Sequence, residues 1–289
     1  MYAKSIICLV TAAAILGGAL PQSARAALPM LEQPWLGRFA VAVDRNFKFY
    51  VSSDGTMELE LFDRADNSIG IQHVIAIWLV AEEVAPSGVP AAWLTVVPES
   101  VESADPATEK LRKTTLRGKM AGNDPAATVS FEATIERDGS SILIGGRITD
   151  PRPFKNPVRL TVQAVFPPPH AAELQERAEW DKKREKEFEK RTKRDLVELK
   201  HTDGMRSKQS IFEKINANTK EVNGAGIAAA TVGMSVYQGL SLEFTAETNS
   251  AFSLWNPAPA PLSDGFRLIW RPDAAKDPEH KARLAIKVK

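Results

Sequence analysis

Between Thr128 and Thr149 the chain reads "TVSFEATIERDGSSILIGGRIT", and this stretch limits the possible folds more than any other. In its first arm Val129, Phe131, Ala133 and Ile135 alternate with Ser130, Glu132, Thr134 and Glu136. That is the period-two signature of a strand with one buried face. Asp138-Gly139 between the arms supplies the positive φ that a tight hairpin needs. The pattern recurs. Met57, Leu59 and Leu61 alternate with Glu58 and Glu60 after the turn-forming "SSDG", and "DRADNSIG" (Asp63 to Gly70) reads as the next turn. "RFAVAV", "FKFYVS", "QHVIAIWLV" and "VRLTVQAVF" add strands, the third expected to be buried on both faces. "LSLEFTAE", "AFSLWN", "GFRLIWR" and "ARLAIKV" add four more near the C-terminus. No βαβ rhythm interrupts them, so the spacing predicts a mainly β chain folded as an antiparallel β-sandwich.

One segment departs from this pattern. Three prolines, Pro167 to Pro169, end the β-rich region, and "EWDKKREKEFEKRTKRDLVELK" (Glu179 to Lys200) follows. Acid-first pairs at i,i+4, namely Glu179–Lys183, Glu187–Arg191 and Glu189–Lys193, favour a helix. Phe188 stands nearly alone in the middle, far short of the apolar stripe of a core-facing helix. The expectation is one long charged α-helical insertion, solvated along its length, with Lys183, Lys186, Lys190 and Lys193 in water. The predicted division is a signal peptide over 1–26, an N-terminal β-sandwich region over 27–169, a charged helical insertion or linker over 170–222, and C-terminal strands over 223–289 that complete the same sandwich.

The export assignment rests on Lys4, the apolar run Ser5 to Leu20, and Ala24 and Ala26 before a cleavage site near Ala26. The run is about 16 residues, shorter than the ~20 needed to span a bilayer core. The expected product is therefore periplasmic or extracellular, with no stable membrane span. Cys8 is the sole cysteine and lies inside this segment, so the mature chain has no thiol for catalysis or metal binding. With 37 basic and 36 acidic residues the formal charge is +1, and no global basic field marks a nucleic-acid binder.

No phosphate loop, nucleophile elbow or metal-spaced histidine pair is present. The glycine-rich "NGAGIAAATVG" (Asn223 to Gly233) reads as a loop entering a strand. His73, His170, His201 and His280 are scattered, and a straight helix would hold His170 and His201 tens of ångströms apart. Glu58 and Glu60 share a strand face at about 7 Å, a separation that suits an acid–base pair but is also ordinary on a solvated sheet face. Among Trp35, Tyr50, Trp78, Trp93, Trp255 and Trp270, the apolar surroundings of Trp78 and Trp270 predict core positions, while Trp255 sits at a strand end before prolines. Trp180, Phe188 and Trp255 are the candidate partner contacts, with no catalytic, cofactor-binding or metal residues assigned and no cofactor expected. The function expected is a non-enzymatic binding or assembly role in the cell envelope or outside the cell, with a protein or a polysaccharide as partner. The alternatives are a secreted hydrolase or lyase whose carboxylates are assembled by a β-scaffold, and a structural spacer.

Overall fold

The computed structural model describes residues 36–62, 73–86, 90–123, 127–216, 219–256 and 265–289. The export segment, Trp35, the "DRADNSIG" turn and the prolines after Asn256 lie outside the described residues.

Seventeen strands among the described residues join into one hydrogen-bonded sheet whose strand pairings are all antiparallel. It has two runs. One passes through β1 (Arg38–Val43), β2 (Phe47–Ser52), β3 (Met57–Leu61), β4 (Ile75–Val84), β10 (Val158–Phe166), β16 (Phe266–Pro272) and β15 (Ser250–Trp255). The other begins at β5 (Pro90–Val96) and β7 (Lys113–Ala121), with the short β6 (Glu102–Ser103) on the β7 edge. It continues through β8 (Thr128–Asp138), β9 (Ser141–Asp150), β17 (Leu284–Val288), β14 (Ser241–Ala246), β13 (Ile227–Gly233), β11 (Leu196–His201) and β12 (Arg206–Ser210). Strand β4 belongs to both: Met57 and Leu59 of β3 pair with its first residues, and β5 pairs with Val80 to Val84 on the same edge.

The alternating strands bury their apolar faces in one shared core. Phe166 of β10 meets Phe244 of β14 edge to face at 5.6 Å, although the two strands do not pair, so the runs face each other across that core. Gly146 of β9 marks how close they come. A Cβ there would lie 2.4 Å from the Glu132 carbonyl oxygen and 2.6 Å from Leu160 of β10. The β8–β9 hairpin turns where expected, with Gly139 at φ 57°.

The long helical insertion is not what forms. Residues 170–200 make a short α1 (Ala171–Leu174), a 3-10 turn at Arg177–Glu179, and α2 (Lys182–Thr192) of 11 residues. The chain then enters strand β11. Two local causes explain the difference. Asp181 caps α2 by accepting from the Arg184 amide at 2.7 Å, so a helix starts there rather than continuing from upstream. Beyond it, Val197 and Leu199 alternate with Glu198 and Lys200, a period of two inside what looked like one charged run. The ion pairs fold back as well: Arg184 reaches Glu176 at 2.8 Å and Arg191 reaches Glu173. Lys183, Lys186, Lys190 and Lys193 are exposed, as expected. The Gly/Ala segment also departs from its loop reading, because Ile227–Gly233 is an internal strand between β11 and β14. Among the described residues no helix is long and apolar enough to cross a membrane.

Candidate functional site

The first run has a second face, turned away from the shared core. Opposed residues of an antiparallel pair point to the same side, so the registers define its make-up. Trp78, Val80 and Glu82 of β4 stand beside Gln163, Thr161 and Arg159 of β10. Arg267, Ile269 and Arg271 of β16 and Trp255 and Ser253 of β15 extend the same surface. An outward face of an antiparallel sheet is ordinarily wet, yet Val80, Thr161, Gln163 and Ile269 are all buried here. This part of the surface is a covered, polar place.

Its centre is Glu82, whose side chain is 0% exposed between Arg159 and Arg271, themselves 21% and 20% exposed. Arg271 grips the carboxylate with both edges of its fork, Nε on Oε2 at 2.9 Å and Nη2 on Oε1 at 2.7 Å. Arg159 donates from Nε and Nη2 to Oε2 at 3.1 and 2.9 Å. The remaining reach of Arg271 goes to the Ser253 hydroxyl. A buried carboxylate needs such partners, because an unpaired charge away from water is costly.

Toward the start of β4 and the end of β10, Arg267 lies over Trp255 at 4.7 Å and over Trp78 at 5.3 Å, donating to Gln163 Oε1 at 3.5 Å. Two indole faces against one guanidinium form a cation–π stack. The Gln163 Nε2 group is buried there with no hydrogen-bond acceptor among the described residues. His73 precedes β4 and His170 follows β10, so the pairing of Ala76 with Val165 brings both to this end. Burial pushes His73 below its ordinary value, and the nearby charge of His170 adds to that. His170 sits in the left-handed region at φ 59°, an uncommon backbone for a residue with a side chain. Its Nε2 lies 3.1 Å from Asp195 Oδ2 and 3.1 Å from Ser235 Oγ, and Ser235 Oγ donates to the same carboxylate oxygen at 3.0 Å. The Asp195 side chain is fully buried. Tyr237 beside it is pushed up by burial and by the Asp195 charge.

The structure places the residues singled out from sequence as follows. Phe188 is buried, its ring packed on His170, Trp180 and Phe212. Trp180 is part-buried, with Arg184 over its ring at 5.1 Å. Trp255 belongs to the outward face just described. Trp270 is core, but Trp78 is not: it lies on the outward, half-buried side, and β4 is not buried on both faces at Ala76 and Trp78. Glu58 is held by Arg38 at 2.8 Å, and Glu60 accepts from the Tyr50 hydroxyl at 2.9 Å. His201 bonds Ser207 at 2.9 Å. The long rod meant to separate it from His170 does not exist. Among the described residues no three His, Cys, Asp or Glu side chains come together in a way that could hold a metal.

Sequence reasoning missed Glu82, Arg159, Arg267, Arg271 and the Asp195 cluster. The signal was present in "VRLTVQ" and "RLIWR", where polar residues four apart occupy one face of an otherwise apolar strand.

No family model and no curated protein matches the sequence. Among solved structures, the chain is similar to the α-N-acetylgalactosaminidase NagBb from Bifidobacterium bifidum in its Gal-NHAc-DNJ complex, with TM-score 0.48 and 14% identity over 86% of this chain and 35% of that one. A candidate aldose 1-epimerase from Escherichia coli K12 gives TM-score 0.42 and 9% identity over 86% of this chain and 98% of that one. The chain thus spans about a third of the length of the galactosaminidase, 35%. No residue role is carried over from either. Both neighbours are described as enzymes, and neither description supports the expected non-enzymatic binding or assembly role. The alternative, a hydrolase or lyase on a β-scaffold, stands closer to these findings.

Proposed function

We propose that this chain is a carbohydrate-directed enzyme of hydrolase or lyase type, using acid–base chemistry on the outward face of a β-sandwich. In this reading residues 27–289, with β11 and β12 of the 170–222 segment included in the sheet, build one unit after export and removal of the segment ending near Ala26. The observation that carries the reading is that His73 and His170 come to the same end of the β4–β10 pair as the Trp78–Arg267–Trp255 stack. His73, held neutral by burial, keeps a lone pair that can take a proton near neutral pH. His170 is oriented through Nε2 by the buried Asp195, which leaves its Nδ1 as the ring atom free to face a ligand. In this reading His73 takes the proton from the attacking water or sugar carbon, and His170, as an imidazolium with Nε2–H on Asp195, gives its Nδ1 proton to the departing glycosidic oxygen. The part-buried indoles of Trp78 and Trp255 in the stack offer apolar packing to a hydroxylated ring.

The test is turnover by the processed chain of a panel of oligosaccharides and aryl glycosides, followed by release of reducing ends and by absorbance of unsaturated products. His73→Gln and His170→Gln are each expected to lower turnover about a hundredfold. Variants as fast as the parent chain, or no turnover across the panel, would remove the enzymatic reading.

A further inference from the structure

The other end of the same face has a composition that the acid–base reading does not use. Arg159 and Arg271 share a single carboxylate, Glu82, so one positive charge is left over in a part-buried cluster. Glu83, the next residue, lies on the opposite side of β4 and accepts from Asn156 at 2.7 Å, so it does not cancel the surplus. Arg159 engages Glu82 through Nε and Nη2, and its side chain as a whole keeps some exposure. Directly across from Glu82 on β5 stands Trp93, on the same face and 44% exposed. Its indole leaves a flat apolar face open beside the Glu82 cluster, with Arg159 on the far side of that carboxylate.

We infer that Trp93, Arg159 and Arg271 form a subsite for an acidic sugar, with the pyranose ring lying on the indole and its carboxylate meeting the arginine pair. The chemistry of each part leads to this class. The flat indole packs against the C–H face of a sugar ring. The guanidinium donors match a planar carboxylate in a charge-assisted bond, where a neutral hydroxyl would leave the surplus charge uncompensated. Arg159 and Gln163 lie four residues apart on β10, which is about 13 Å of strand. A chain of sugar units would span from this subsite to the histidine end. The inference rests on the carbohydrate reading above and specifies its substrate class.

The experiment is calorimetric titration of the processed chain with an oligogalacturonate and with a neutral oligosaccharide of the same length. The acidic ligand is expected to bind at least about tenfold more tightly, and the preference to shrink as salt rises. Arg159→Gln and Trp93→Ala are each expected to weaken it about tenfold. Arg159→Lys keeps the charge and is expected to retain most of the salt dependence, which leaves a test if Arg159→Gln fails to fold. Equal affinity for both ligands, or no change in Arg159→Gln, would make the arginines a structural clamp for Glu82 and overturn the subsite. Acidic-sugar binding without turnover of any sugar would remove the acid–base reading and leave the subsite standing. Histidine-dependent turnover of neutral sugars with no acidic preference would do the reverse.

Discussion

Glu82 and Arg271 meet across an intervening strand, the carboxylate on β4 and the guanidinium on β16, with bidentate contacts of 2.9 and 2.7 Å over β10. The pair therefore ties together three neighbouring strands of the first run, and Arg159 on the middle strand closes the cluster. Such a clamp contributes little when intact compared with apolar packing, but it is costly to break on one side.

Replacing Glu82 with Ala leaves two part-buried guanidinium groups beside each other with no shared anion. The expected loss is about 3 kcal/mol. Denaturant titration should show a lower midpoint with the slope unchanged. The double change Glu82→Leu with Arg271→Met should recover much of that loss, because the uncompensated charge then falls from two guanidinium groups to one.

Phe188 is 4% exposed between His170, Trp180 and Phe212, so α2 is attached to the fold by a ring rather than held upright by surface ion pairs. Phe188→Ala is expected to cost about 3 kcal/mol, whereas neutralising any single exposed lysine of α2 should change stability by less than about 0.5 kcal/mol. Deleting Gln175 to Lys200 removes Asp195 and all but His201 of β11, the strand between β12 and β13. The deletion variant is expected to lose cooperative melting, with circular dichroism as the readout. Retention of a sharp transition would mean the segment is dispensable after all.

How far the sequence foretold this architecture depends on the element. Strands with strict alternation were legible: Met57 to Leu61, Thr128 to Glu136 and Leu242 to Phe244 each put apolar residues on the shared core. Strand β12, "RSKQS", was not, because among the described residues it lies at the edge of its run, pairs only with β11 and buries little. Strand β11 was hidden by composition, since Glu198 and Lys200 prolong the charge pattern of α2 while facing outward from a sheet. The candidate site was hidden for a different reason. Its residues lie on strands far apart in the chain, so Glu82, Arg159 and Arg271 become neighbours only through register. His170 and Asp195 meet because the chain folds back over α1 and α2.

Gly146 tests the closeness of the two runs directly. With a φ that any residue can adopt, the objection to a side chain there is spatial: the Glu132 carbonyl lies on one side and Leu160 on the other. Gly146→Ala is expected to destabilise by about 2 kcal/mol by forcing β9 away from β8 and β10. Gly139→Ala at the hairpin tip has open space around it and meets only the cost of a left-handed backbone at φ 57°, about 1 kcal/mol. Thermal melts of the two variants should rank in that order, and the reverse order would contradict tight packing at β9.

The pH dependence of stability offers a last measurement at the histidine end. His73 has a native value below its ordinary 6.5, chiefly because burial penalises the imidazolium. Above 6.5 the ring is neutral in both folded and unfolded chains, so it contributes no slope there. As pH falls below 6.5 the unfolded chain takes up a proton at this residue while the native chain does not, and stability drops. The drop ends once pH passes below the lowered native value, where both states carry the proton. His73→Gln removes this proton uptake, so its stability should fall less steeply than the parent's between pH 6.5 and the native value. Denaturant midpoints measured across that window provide the comparison, and parallel curves for the two proteins would mean that His73 is as open to water in the folded chain as in the unfolded one.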